Sequence, residues 1–485
     1  MTADRLLSPA ESDRVMTGRT VGWTRSDAVA PLTVFLVLLM VIPSSYIFEP
    51  LGAAGTPATL IGVVLFIWYL LTWLNPAARL ARGRQPVRFA ALMFFCTVLV
   101  TYLSASRHAM STAEVNGLDR GPILAVGWLG VLLVAADGID SVDHIKTLLR
   151  RIVTGGTVLG AFGILQAVTG FNIADHIDIP GLTKDTTYAE VLIRGSLVRP
   201  YVTTINPLEF AAVVSICLPL AIYLARNDEP ARRRRRWLQV AVIGIAQVMT
   251  TSRTSILALI AVGIVLLPTW TPRERRRTYG VLVVATLGLF LVIHGLLGTI
   301  KELFIGVADS DSSTASRTSA WSSAQPFIAQ HPWFGRGFGT FFPQTYFFTD
   351  DQYLSSIIEI GVVGLLVLIG LLATGWFTAR SVRRISTDKN IRDLAQCMAA
   401  SVAVAAVSFG TFDALSFPMM ASLTFMLLGC VGALWRLSRA AESELAAQPT
   451  QPAPSEEEEA AVEASAAGAS TSSSGWSIDT GAWGV

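Results

Sequence analysis

Apolar stretches of about 18 to 25 residues recur from residue 31 to residue 437, each as long as a helix must be to cross the roughly 30 Å hydrocarbon core of a bilayer. In lipid a backbone satisfies its own hydrogen bonds only as a helix or a closed barrel, and barrel strands would alternate over about ten residues. The expected fold is therefore all-α and polytopic. Composition agrees, because only 15% of the 485 residues are charged and 52% are hydrophobic, where soluble chains carry about 25% charged residues. A soluble enzyme and a nucleic-acid-binding module are excluded.

Apolar runs bounded by charge, Pro or Gly predict about 12 spans, near 31–48, 52–73, 89–106, 121–136, 152–170, 207–225, 237–251, 254–270, 279–299, 353–377, 394–411 and 417–437. Twelve spans put both termini on one side. Assigning Lys and Arg to alternating sides places 28 of the 37 on the side of the termini and nine on the other, so the positive-inside rule makes the termini cytoplasmic. The run Arg232 to Arg236 then reads as a cytoplasmic anchor. The outer face holds two long loops, 171–206 and 300–352, the second between spans 9 and 10, and loops of this kind carry function.

Residues 1–30 read as a retained cytoplasmic tail with no signal peptide, and 31–440 as the transmembrane domain. Residues 441–485 hold eight acidic residues and no Lys or Arg, a composition expected to stay disordered in the cytoplasm. The four cysteines are far apart in apolar stretches and suggest neither a disulfide framework nor a metal site. The five histidines show no paired ligand spacing, so no metal and no cofactor is expected. The pair Asp309 and Asp311 has a metal-binding spacing that arises easily by chance.

Chemistry is expected among charged residues at the outer boundary, where an arginine must snorkel, pair or be used. Arg253 stands among hydroxyls in Thr250-Thr251-Ser252-Arg253-Thr254-Ser255; it reads either as a snorkelling helix end or as an anion binder whose planar fork suits phosphate. In the second loop, Thr314 or Ser316 can cap a helix to about Ala329, placing Arg317 in the first turn, where a cation is disfavoured and an anion partner is implied. Trp321, four residues on, shares its face and can stack on Arg317 or on a sugar ring. The run His331-Pro332-Trp333-Phe334-Gly335-Arg336-Gly337-Phe338-Gly339 lacks a βαβ context, so its glycines read as a tight turn. Asp350-Asp351-Gln352-Tyr353-Leu354 opens the tenth span, with Glu359 and Gly361 following. Either aspartate can be a helix cap, or one of them a general base.

These pieces, in this order, resemble the O-antigen ligase and polymerase family of bacterial membrane glycosyltransferases, most clearly over residues 199–365. The resemblance implies a helical fold whose outer cavity binds a polyprenyl-diphosphate-linked oligosaccharide in the cytoplasmic membrane. It implies diphosphate-binding roles for Arg253, Arg317 and Arg199, catalysis by Asp350 or Asp351, and substrate or sugar contacts from Trp321, Arg336, Gln352 and Tyr353. The lipopolysaccharide ligases of this family have a histidine where Asp350 stands, which favours a polymerase or a ligase for another acceptor. The expected reaction moves a glycan to an acceptor hydroxyl by single inverting displacement, because preorganised arginines can hold the charge that a metal would otherwise stabilise. The alternatives are a secondary transporter or flippase for an organic anion or lipid-linked glycan, and a scaffold that recruits partners through its acidic tail.

Overall fold

The computed structural model describes residues 28–74, 83–184, 193–194, 197–292 and 312–447. The expectations for most of the N-terminal tail, for Asp309 and Asp311, and for the acidic tail beyond Ala447 lie outside the described residues. The chain divides into two units, Met1–Arg439 and Ala440–Val485, and of the second only 440–447, the last turns of a helix, are described.

The described helices are, in chain order, α1 Val29–Val41, α2 Pro57–Leu74, α3 Pro86–Ala105, α4 Thr112–Gly138, α5 Val142–Thr169, α6 Pro207–Asn227, α7 Pro230–Met249, α8 Arg253–Leu266, α9 Pro272–Val292, α10 Ser312–Gln330, α11 Gln352–Glu359, α12 Gly361–Ile385, α13 Lys389–Phe409 and α14 Pro418–Ala447, all in the first unit except the end of α14. Eight of them, α2 to α6 and α12 to α14, are long and apolar enough to cross a membrane, and α1 and α8 are shorter apolar helices. The chain is a mostly helical membrane protein. The all-α expectation misses two small antiparallel ribbons, β1 Tyr46–Ile47 with β2 Thr183–Lys184 and β3 Ile193–Arg194 with β4 Leu197–Val198. Two-residue strands carry no hydrophobic periodicity from which to read them.

Burial separates the helices into two sets. The apolar windows of α4, α6, α13 and α14 are 67–89% buried, whereas those of α2, α3 and α12 are 28–39% buried. With no water in a bilayer core to solvate it, a buried polar group must look for partners inside the bundle. Glu209, fully buried in the first turn of α6, accepts the Ile205 amide with one carboxylate oxygen, and the other accepts the amides of Met419 and Met420. Those two N–H groups belong to the orphan donors at the start of α14, so a side chain 210 residues away caps that helix. The starts of α4, α6, α8, α11 and α14 and the segment 331–351 then meet at one end of the bundle.

Candidate functional site

The expected tenth span is broken. It separates at Ile360 into α11 and α12, and the motif from His331 to Gly339 binds both sides of the break. Amides of Arg336 and Gly337 donate to the carbonyls of Ile358 and Glu359, and amides of Val362 and Val363 donate to the carbonyls of Pro332 and Trp333. Groups that a helix end leaves without partners are thus satisfied from a loop. The close approach explains two glycines: a Cβ on Gly335 would lie 2.3 Å from the Glu359 carbonyl, and one on Gly361 would lie 2.3 Å from the Trp333 oxygen. Both also hold positive φ, 68° and 69°. The tight-turn reading of these glycines holds, and what the turn clasps is a helix break.

Arg336 faces inward. Its Nη2 donates to Glu114 Oε1 and, at 2.8 Å, to the Tyr346 hydroxyl, and its guanidinium lies over the rings of Tyr346 and Phe327 at 4.5 and 5.4 Å. Tyr346 donates to the same Glu114 oxygen at 2.6 Å. Glu114 also closes a capping box with Ser111 at the start of α4. Arg336, expected as a substrate contact, ties the loop to α4.

The acidic residues form a cluster. Asp351 is the N-cap of α11 and accepts the Tyr353 amide at 2.9 Å. Asp350 precedes it at φ 49°, a conformation that non-glycine residues adopt only at a cost. Asp413, in the turn between α13 and α14, accepts the Thr349 hydroxyl at 2.6 Å and the Asp351 amide at 3.3 Å, and so binds the residue on each side of Asp350. Burial first, then the neighbouring carboxylates of Asp350 and Asp351, push the Asp413 carboxyl up to about 6. Gln352 and Tyr353 fasten the same corner: Gln352 accepts the Leu415 amide at 2.7 Å, and the Tyr353 hydroxyl donates to the Ala406 carbonyl.

Arg253 is the first residue of α8, after a break at Thr250–Ser252 that separates α7 from α8. Thr251 there takes φ 44°. Ser252 caps α8 by accepting the Thr254 amide, and Arg199 donates through Nε to the Thr250 carbonyl at 3.2 Å. Two arginines selected from sequence therefore flank one break. The break also reaches the acidic cluster, because Thr254 donates to Thr411 at 2.9 Å, two residues before Asp413.

Among the described residues the non-glycine residues with positive φ are Val202, Thr251 and Asp350. Each lies within three residues of a site residue chosen from sequence. Gln166, buried in α5, holds the first of them by accepting the amides of Tyr201 and Val202. Strain retained at such positions clusters at functional sites.

The loop helix starts earlier than expected. α10 begins at Ser312, so Arg317 falls in the second turn and the unfavourable first-turn position does not apply; its side chain lies outside the described residues. Trp321 is 49% exposed on the same helix. A cavity of about 140 Å³ opens beside the cluster, lined by Arg120, Trp128, Phe338, Gln352, Glu359 and Asp413 among others. It is smaller than the roughly 300 Å³ at which small-molecule pockets begin. Arg120 and Asp413 were not selected from sequence. Arg120 lies inside the expected outer arginine set, and its placement over Gly52, whose Cβ would meet the guanidinium at 2.2 Å, has no sequence signal. Among the described residues no group of three or more His, Cys, Asp or Glu is placed to hold a metal ion.

Residues 238–369, about a quarter of the chain, match the family model described as O-antigen ligase. Over that segment the chain is similar to the O-antigen ligase family. The matched segment runs from α7 into α12 and contains Arg253, Arg317, Trp321, Arg336 and Asp350 to Tyr353, while Arg199, Arg120 and Asp413 lie outside the match. No curated protein matches the chain.

Proposed function

We propose that this protein is a membrane glycosyltransferase of O-antigen ligase or polymerase type, which moves a glycan from a polyprenyl-diphosphate carrier to an acceptor hydroxyl on the outer face of the cytoplasmic membrane. The observation that carries the reading is the proximity of the Arg199–Arg253 break to Asp350: Thr254 donates to Thr411, two residues before Asp413, and Asp413 accepts from Thr349 and Asp351, the neighbours of Asp350 on either side. It links phosphate-binding groups to a carboxylate at one end of the bundle.

In this reading twelve spans place both termini in the cytoplasm and the segment 331–351 outside. Arg253, Arg199 and Arg317 receive the diphosphate. The acceptor oxygen attacks the anomeric carbon, the bond to the diphosphate oxygen breaks with its electron pair, and Asp350 takes the acceptor proton. The leaving diphosphate needs no proton, so fixed guanidinium donors lower the barrier by holding charge as it develops. Asp350 is preferred over Asp351 as the base, because Asp351 is occupied as the cap of α11. A single displacement of this kind inverts the anomeric centre.

The test is transfer by the purified full-length protein in nanodiscs, with a labelled polyprenyl-diphosphate oligosaccharide, acceptors supplied one at a time and chelator in excess. A ladder of lengthening lipid-linked products marks a polymerase, and a single transfer to a separate acceptor marks a ligase. Donor that crosses the bilayer with no product under any acceptor would sink the proposal in favour of a flippase.

A further inference from the structure

The other end of α12 carries a site of different chemistry. A cleft of about 580 Å³ is lined by Arg380, Arg383, Arg384, Ile385, Ser386, Thr387 and Arg392, at the turn from α12 to α13. Four guanidinium groups surround one space, and none of the four makes an ion pair among the described residues. The Nη1 atom of Arg383 is buried with no hydrogen-bond partner among those residues. A buried donor without an acceptor is costly, more so where it is charged, so the arrangement calls for an anion.

The positive-inside bias explains arginines on this side but not their convergence. The run Arg232 to Arg235 shows the difference: those residues stand exposed in solvent, and Arg236 after them pairs with Asp228 at 2.7 Å. In the cleft the nearby acid acting on Arg383 is Asp393, against the like charges of Arg392 and Arg380. Asp388 accepts the Asn390 amide as the cap of α13 and does not line the space.

The surface below the cleft indicates what kind of anion it takes. Leu366, Ile369, Phe377, Arg380 and Arg384 follow one another at spacings of three, eight, three and four residues and so share one face of α12. Along it Leu366 is 62% exposed, Ile369 43% and Phe377 63%. An uncovered apolar stripe thus leads up one membrane-crossing helix into a cleft of arginines.

We propose that this cleft binds the headgroup phosphate of an anionic phospholipid, whose acyl chain lies along Phe377, Ile369 and Leu366. Ser386 and Thr387 supply hydroxyl donors beside the guanidinium forks, which match phosphate oxygens two at a time. Basic pockets between membrane helices hold acidic headgroups on the same principle. The inference is independent of the proposed transfer reaction and uses none of its residues.

Native mass spectrometry of the full-length protein in detergent tests it, with phosphatidylglycerol and phosphatidylcholine of identical acyl chains titrated separately. The expected result is preferential retention of phosphatidylglycerol, falling about tenfold in a protein carrying Arg383→Gln and Arg392→Gln and unchanged in one carrying Arg234→Gln and Arg235→Gln. Equal retention of the two lipids by the unaltered protein would overturn the proposal without reference to any variant. So would an equal loss in the Arg234 and Arg235 protein, which would reduce the effect to diffuse charge. Displacement of the lipid by millimolar inorganic phosphate, with no dependence on acyl chains, would assign the cleft to free phosphate and overturn the lipid part.

Discussion

Asp350 and Asp351 are neighbours in sequence with different work to do. Asp351 points its carboxylate at the Tyr353 amide and caps α11, whereas Asp350 is held at φ 49° by the bonds that Asp413 makes on either side of it. Asp350→Asn should therefore reduce glycan transfer by about 10² to 10⁴ with little change in melting temperature. Asp351→Ala should lower stability by about 1 kcal/mol as a lost cap and leave more of the transfer; a reversed pattern in transfer rate and thermal melting would exchange the two roles. Asp413 adds a pH dependence of known sign. Its carboxyl is raised from 3.8 to about 6 in the folded protein, so between those values the native state binds more protons than the unfolded chain, and stability falls as pH rises through that window and levels above it. Asp413→Asn keeps an acceptor for Thr349 and Asp351 and should flatten that part of the stability profile, measured as melting temperature from pH 4 to 7 in one detergent. The residue pattern at 350–354 pointed here, but Asp413 stands 59 residues beyond Leu354 in an apolar context, and no spacing rule connects it to the pair.

At the scale of elements, the breaks matter more than the helices. Hydropathy alone showed helices in lipid, and Thr250–Ser255 was legible as an interruption because its hydroxyl groups lower the local hydropathy. The break at Ile360 was not legible, since Glu359 is a lone charge among Ile357, Ile358 and Ile360, which read on into the apolar run of α12; it exists because the loop 332–337 replaces the helical hydrogen bonds from outside. The anchoring partner of Arg336 is not legible for the same reason: Glu114, which lies against it, belongs to a helix more than 200 residues earlier. The ion pair is only slightly exposed, 17% on Arg336 and 11% on Glu114, so removing one partner leaves a poorly solvated charge. Arg336→Gln and Glu114→Gln should each destabilise the protein by about 2 kcal/mol, and the double variant should cost about 1 kcal/mol less than their sum. A thermal-melting double-mutant cycle with strict additivity would mean that the loop is anchored by Gly335 and the Tyr346 ring stack instead.

For the molecule as a whole, the charge asymmetry in sequence and the clustering of strain in structure describe the same polarity. The strained residues Val202, Thr251 and Asp350 gather at the end that holds the 331–351 loop, while the arginine cleft of Arg380 to Arg392 lies at the far end of α12. In the proposed reaction, binding and release of a large lipid-linked substrate need a preorganised end, and insertion needs a basic end facing the cytoplasm; the two requirements fall on opposite ends of α12. The orientation itself is open to direct test. Cys96 is the one exposed cysteine, the other three being buried, so a Cys96→Ser background leaves no accessible thiol among the native residues. In that background Gln344→Cys, exposed in the loop, and Thr387→Cys, exposed beside the arginine cleft, report opposite ends of the bundle. A membrane-impermeant maleimide should label position 344 and not 387 in right-side-out vesicles, and position 387 only after permeabilisation. The reverse pattern would place Arg253 and Asp350 in the cytoplasm, where no outer-face acceptor could reach them, and would dismiss the proposed reaction whatever the geometry of its residues.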